Sequence, residues 1–241
     1  MRGARWADLN VRIVGGHDGR GGGTGPVVVL LHGYGAPGDD LVPLAGALDV
    51  PSEVRFVFPE AHLMPDELAA YGGRAWWPID MVALQRAMAD GGGRPRMDKV
   101  PEGMPEARAR LIALLTQVEH ELSVTSDQIT VGGFSQGSML ACDVVLRTSQ
   151  PFAGLALLSS TLVCPQEWQP LMAARRGLPV FQSHGMHDAI LPYERALAQR
   201  ELLQAAGLDL TWLPFSGGHE LPAKVLSGLS VFLRARAQPR S

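Results

Sequence analysis

Cysteine is nearly absent from this chain: Cys142 and Cys164 are the only two in 241 residues. Two thiols give no disulfide framework, so stability must come from a packed core. Cys142, on a helix-like run, is expected as a small core residue. Long apolar runs are also missing. None reaches the ~20 residues that cross a bilayer, and Met1–Val14 has no apolar centre of signal-peptide length. Lys and Arg number 21 against 24 Asp and Glu, which leaves no basic stripe for nucleic acid or an anionic membrane. The glycine tract from Gly19 to Gly25 lacks the Gly-Lys-Ser/Thr ending of a phosphate loop and is expected as a flexible hairpin tip. These absences exclude several classes and point to a cytoplasmic protein with no nucleic-acid partner and no stable membrane association.

What is present is the ordinary composition of a globular enzyme, with 46% hydrophobic and 19% charged residues. The length suits a single α/β domain over 1–241. Strand signals begin near Val27, Val54, Gln128, Leu155, Pro179 and Leu210, with a further short strand at Val11–Val14. Helical signals fall near 39–48, 105–122, 137–148, 166–175, 192–206 and 221–235. In the clearest, Leu111, Leu114, Leu115, Val118 and Leu122 share one face, and Pro105 suits a first turn. Such alternation predicts a mostly parallel central sheet with helices on both faces. No internal repeat is visible.

The most informative stretch is Gly133-Phe134-Ser135-Gln136-Gly137. It fits G-x-S-x-G, a strained turn between strand and helix that exposes a serine hydroxyl. The strained backbone requires small neighbours. Gln128-Ile129-Thr130-Val131 ahead of it is strand-like, and Met139, Leu140, Val144 and Val145 behind it recur at helical spacing. With 28 glycines in the chain the motif alone is weak, so the case rests on what accompanies it.

A serine hydroxyl needs a base to take its proton and an acid to orient that base. The acid candidate is Asp188, in the loop His184-Gly185-Met186-His187-Asp188 that ends the strand-like run Pro179–Ser183. Functional groups of α/β sheets sit at such C-terminal strand ends. The base candidate is His219, in Ser216-Gly217-Gly218-His219-Glu220 after the run Leu210–Pro214. The competing interpretation makes Asp188 a turn aspartate and His219 a surface histidine. His17 and His120 lie in polar surroundings, and His62 lies in a loop. His184, His187 and Asp188 invite a metal interpretation, but nothing nearby completes a set of three or four ligands, so no metal is expected.

Val27–Leu31 is an unbroken apolar run, as for a strand buried on both faces. It leads into His32-Gly33-Tyr34-Gly35. Acyl transfer needs two backbone N–H groups aimed at a developing oxyanion. Gln136, after the serine, supplies one, and Tyr34 in this loop is the candidate for the other.

Leu31-His32-Gly33-Tyr34-Gly35, Gly132 through Ser138, His184 through Asp188 and Gly217-Gly218-His219 occur in one order. Together they resemble the carboxylesterase, phospholipase and acyl-protein thioesterase family of α/β-hydrolases, from about residue 26 to 234. The resemblance implies an α/β-hydrolase fold, with Ser135 as nucleophile, Asp188 as acid and His219 as base. It places the oxyanion N–H groups on Tyr34 and Gln136. It also implies a cofactor-free cytosolic enzyme that takes small-molecule carboxylic esters or thioesters.

One region departs from the compact family pattern. Trp76-Trp77-Pro78-Ile79-Asp80 is followed by a long stretch to about Met104, and connections of that length in compact domains are functional or disordered. The expectation is a partial lid or insertion over 59–104, with a helix from Ile79 to Asp90. Trp76, Trp77, Ile79 and Met81 would then line an acyl or aryl pocket; the alternative is that they pack against the sheet edge. An apolar pocket favours short to medium acyl or aryl esters, with a thioesterase or lysophospholipase-like activity as the alternative. A non-catalytic binding protein on the same scaffold is the competing class; the intact set of candidates argues against it. The default assembly for such an enzyme is a homodimer.

Overall fold

The computed structural model describes residues 1–80 and 97–238. Eight strands form one sheet: β1 (Arg2–Trp6), β2 (Leu9–Gly15), β3 (Val27–Leu31), β4 (Arg55–Pro59), β5 (Ile129–Phe134), β6 (Gly154–Leu158), β7 (Pro179–Gly185) and β8 (Asp209–Phe215). Their order across the sheet is β1-β2-β4-β3-β5-β6-β7-β8. β1 pairs with β2, and β2 with β4, antiparallel; every pair from β4 to β8 is parallel. Every residue of β3, β4 and β6 is buried, because helices cover both faces of the parallel part.

The helices are α1 (Leu44–Ala47), α2 (Asp66–Ala69), α3 (Met104–Leu122), α4 (Gln136–Arg147), α5 (Pro165–Met172), α6 (Tyr193–Ala205) and α7 (Ala223–Ala237). On α3 the expected stripe of Leu111, Leu114, Leu115, Val118 and Leu122 is buried, and Pro105 lies in the first turn. One core layer joins α3, α4 and α5 to the sheet. The other joins α7 and the 41–48 segment to its opposite face.

Several expectations need correction. Of the helix expected over 39–48, only 44–47 is helical, and Asp39 to Pro43 form turns instead. The strand at Val11–Val14 is the centre of a longer one, and its partner β1 lacked an apolar signal, since Arg2, Ala4 and Trp6 alternate with exposed positions. The hairpin tip is at Ala7 and Asp8, with φ of 46° and 62°, where a two-residue turn needs both residues left-handed. The glycine tract is therefore not a hairpin tip. It runs from β2 to β3, which do not pair, and it is pinned. Gly21 N–H donates to Gly15 O at 2.8 Å and His17 N–H to Gly22 O at 3.0 Å. The buried Arg55 guanidinium donates to the carbonyls of Gly23 (2.9 Å), Gly25 (2.9 Å) and Leu122 (2.8 Å). The helix expected from Ile79 to Asp90 lies outside the described residues beyond Asp80.

Candidate active site

The site lies at the C-terminal ends of β3, β5, β7 and β8. Ser135, between β5 and α4, has φ 54° and ψ −119°, a conformation that L residues adopt at a cost of order 1–3 kcal/mol. The neighbouring glycines make it feasible. A Cβ on Gly137 would stand 2.3 Å from Leu31 O, and one on Gly133 would stand 2.6 Å from Leu31 O and from Gly137 C. The elbow is thus pressed against the end of β3, and any side chain at these two positions would push it off. Ser135 N–H donates to Leu158 O at 2.9 Å, and Ser138 Oγ–H donates to Ser135 O at 2.6 Å. Ser135 itself stays half-buried.

Asp188 and His219 come together across the ends of β7 and β8. His219 Nδ1 and Asp188 Oδ2 are 2.7 Å apart. An ionised carboxylate only accepts, so Nδ1 carries the proton and Nε2 is left bare to act as a base. Asp188 Oδ1 accepts the N–H groups of Ile190 and Leu191, each at 2.7 Å. Burial raises the carboxyl's pKa, but the His219 and Leu191 hydrogen bonds, the His219 charge and the Ile190 amide outweigh it, and the net shift is downward. Backbone pairing locks the two loops: Met186 N–H donates to Phe215 O and His187 N–H to Gly217 O, both at 2.9 Å. Gly185 must be glycine, since a Cβ there would meet Gly218 O at 2.1 Å. The His219 ring lies 4.7 Å from the Phe134 ring, centroid to centroid. His219 therefore stands beside the residue that precedes Ser135.

Tyr34 follows Gly33, whose position allows a close approach: a Cβ on Gly33 would be 3.3 Å from Ser135 Cβ. Among the described residues neither the Tyr34 nor the Gln136 amide has an acceptor. For Gln136 this follows from its place in the first turn of α4. The Tyr34 hydroxyl donates to Glu67 at 3.1 Å; burial and then Glu67 push its pKa up to about 12.

Behind these groups is a brace that sequence patterns did not reveal. Trp76 N–H donates to Gln136 Oε1 at 2.9 Å, and Gln136 Nε2 donates to Trp77 O at 2.8 Å. The Trp76 indole N–H donates to His32 O at 2.9 Å. His32 Nε2 accepts from Ala61 N–H at 3.1 Å, so Nδ1 bears the proton and donates to Gly33 O at 2.8 Å. Burial lowers the His32 pKa, consistent with a neutral ring. The side chain of Gln136 thus fixes the 76–77 segment, and that segment fixes the loop bearing Tyr34.

Trp76 and Trp77 are 0% and 2% exposed and belong to the core. Ile79 is partly buried and packs against the same core. Met81 lies outside the described residues. His184 is buried at the end of β7, whereas His187 is exposed. Among the described residues no group of three or more His, Cys, Asp or Glu is placed to hold a metal ion, and no helix is long and apolar enough to cross a membrane. A groove of about 870 Å³ opens at the N-terminal ends of the strands, among Pro26, Val54, Gln128 and Pro179, away from Ser135.

A mostly parallel eight-stranded sheet with an elbow serine after β5 and a carboxylate–histidine pair after β7 and β8 is an α/β-hydrolase fold. The chain belongs to the phospholipase/carboxylesterase family, whose model matches residues 22–237, and it is a hydrolase. It is 31% identical to acyl-protein thioesterase 1 of Gibberella zeae over 131 residues, which span 53% of this chain and 56% of that protein. Identity to acyl-protein thioesterase 1 of Neurospora crassa is 26% over 220 residues, or 87% and 86% of the two chains. Among solved structures, that of esterase PE8 superposes with a TM-score of 0.79 at 25% identity, covering 94% of this chain and 98% of that one.

Proposed function

We propose that this chain hydrolyses carboxylic esters or thioesters through an acyl-enzyme on Ser135. The observation that carries this is the 2.7 Å bond from His219 to the buried Asp188, with the His219 ring against Phe134, the residue before a serine held at φ 54°. His219 Nε2 takes the proton of Ser135 as Oγ attacks the acyl carbon. The N–H groups of Tyr34 and Gln136 receive the oxyanion. His219 then protonates the leaving alcohol or thiol, and water releases the acid by the same steps in reverse roles. Asp188 holds the imidazole in the productive tautomer and stabilises its transient positive charge. Trp76 and Trp77 enter as braces of the oxyanion loop through His32 and Gln136, while Ile79 and Met81 remain candidates for the acyl pocket.

Thioesters stand beside esters because the curated relatives are named acyl-protein thioesterases. Short to medium acyl or aryl groups are the proposed substrates. The test is a chain-length series of p-nitrophenyl esters and matching acyl thioesters, run on wild type and Ser135→Ala. Turnover should vanish in the variant for every substrate, and the peak of the series sizes the pocket. Equal rates in the two proteins would remove Ser135 from the chemistry. A folded wild type inert towards both series would favour a binding role.

A further inference from the structure

The buried histidine that the mechanism leaves unused, His184, stands at the acid. We propose that His184 is a positioning residue: it stands at the same carboxylate oxygen as the base, braces the Asp188 loop through Leu191, and thereby sets the charge that Asp188 presents to His219. This rests on the function proposed above.

The geometry is two hydrogen bonds in series and one close charge–dipole contact. His184 Nε2 lies 2.9 Å from Leu191 O and 3.4 Å from Asp188 Oδ2. A carbonyl only accepts, so Nε2 must carry the proton and donates it to Leu191 O, with its positive end held near Asp188 Oδ2. Leu191 in turn donates its N–H to Asp188 Oδ1 at 2.7 Å. His184 therefore acts on the carboxylate twice: through space near Oδ2, and through the Leu191 peptide at Oδ1. Both side chains are fully buried, where such contacts are screened little. Tyr193 backs the ring at 6.2 Å between centroids. Burial lowers the His184 pKa, which keeps it a neutral donor rather than a competing cation.

His187 is exposed on the same loop. Glu220, beside His219, accepts Gly218 N–H at 3.3 Å. Lys224 of α7 donates to Pro214 O at 3.2 Å. Removing the Nε2–H leaves Asp188 more negative toward His219. A more negative Asp188 retains the His219 proton more strongly, and His219 must be unprotonated to act as base. The acid limb of kcat/KM therefore moves to higher pH, not lower.

The experiment compares His184→Leu, His184→Gln and His184→Asn in the full chain, with kcat, KM and the pH profile of kcat/KM on one p-nitrophenyl ester. Gln can place an N–H near the Nε2 position; Asn, shorter, places it near Nδ1. His184→Leu should lower kcat about tenfold at unchanged KM and raise the acid limb by about half a pH unit. His184→Gln should restore both, and His184→Asn neither. If His184→Leu does not fold, the Gln and Asn pair decides alone. An unmoved limb in Leu, or identical limbs in Gln and Asn, overturns the proposal. Ser135→Ala run in parallel separates the two failures. Its inactivity beside an unmoved limb sinks only the role of His184, whereas its retained activity sinks the serine mechanism itself.

Discussion

Asp143 and Asp188 are both buried carboxylates, and they differ in what holds them. Asp143, within α4, is fully buried. Its oxygens accept from Arg147 Nε at 2.8 Å, from the Trp168 indole at 2.8 Å and from Arg108, which ties α3, α4 and α5 into one node. Among the described residues no guanidinium pairs with Asp188. Asp188 accepts from two loop amides and from His219, with His184 Nε2 standing 3.4 Å away. A guanidinium keeps its charge at every accessible pH, so the Asp143 node is electrically fixed. An imidazole gains and loses a proton near neutrality, so in the proposed mechanism Asp188 answers a charge that appears on His219 only during reaction. Burial of a carboxylate does not mark a site; partners that can change charge do.

That contrast breaks most visibly in substitutions. Asp188→Asn should cut turnover by roughly four orders of magnitude while the thermal midpoint barely moves. Steady-state kinetics beside a melt measures both, and a loss under tenfold would remove Asp188 from the acid's role. Asp143→Asn should do the reverse. It strands Arg108 without its counter-charge and leaves Arg147 with Glu167 alone, a loss of about 3 kcal/mol at the low end of the range for broken buried pairs, since both guanidinia reach solvent. Turnover per folded molecule should stay close to wild type; a denaturant midpoint that does not move would show that the node is not structural.

The smallest effect is in the pH dependence of stability. Burial lowers the pKa of His32 and of His184 from 6.5. Below that pH the unfolded chain takes up protons that the folded chain refuses. Their contribution is therefore complete above pH 6.5 and shrinks as pH falls towards their depressed folded values. Asp188, lowered from 3.8, adds its own loss only in stronger acid. The melting temperature should fall between pH 7 and 5, and His184→Gln should flatten that slope. A slope identical in both proteins would mean that His184 titrates as an exposed residue.

Where the local pattern decides structure, it was readable from the chain. Val27–Leu31 could only be a doubly buried strand, and the stripe on α3 could only face a core. The elbow was legible because Gly133 and Gly137 are required by a close approach to Leu31 within one short motif. Distance in sequence hid the rest. Gln136 meets Trp76 and Trp77 some 60 residues away, and nothing local marks its carboxamide as a clamp. Two tryptophans in a loop resemble a pocket wall until their indoles are seen in the core. His184 resembled a spare ligand because its true partners, Leu191 and Asp188, could be weighed only once the loop was folded. The glycine tract suggested a hairpin because glycine signals turns, and the arginine that pins it sits at the start of another strand.

The most direct test of the central claim is to trap the acyl-enzyme. Wild type mixed rapidly with a p-nitrophenyl ester, quenched in acid and digested, should give one acylated peptide, with the added mass on Ser135. Asp188→Asn should form the same adduct far more slowly. An adduct on any other residue, or hydrolysis that proceeds unchanged in Ser135→Ala, would contradict the account.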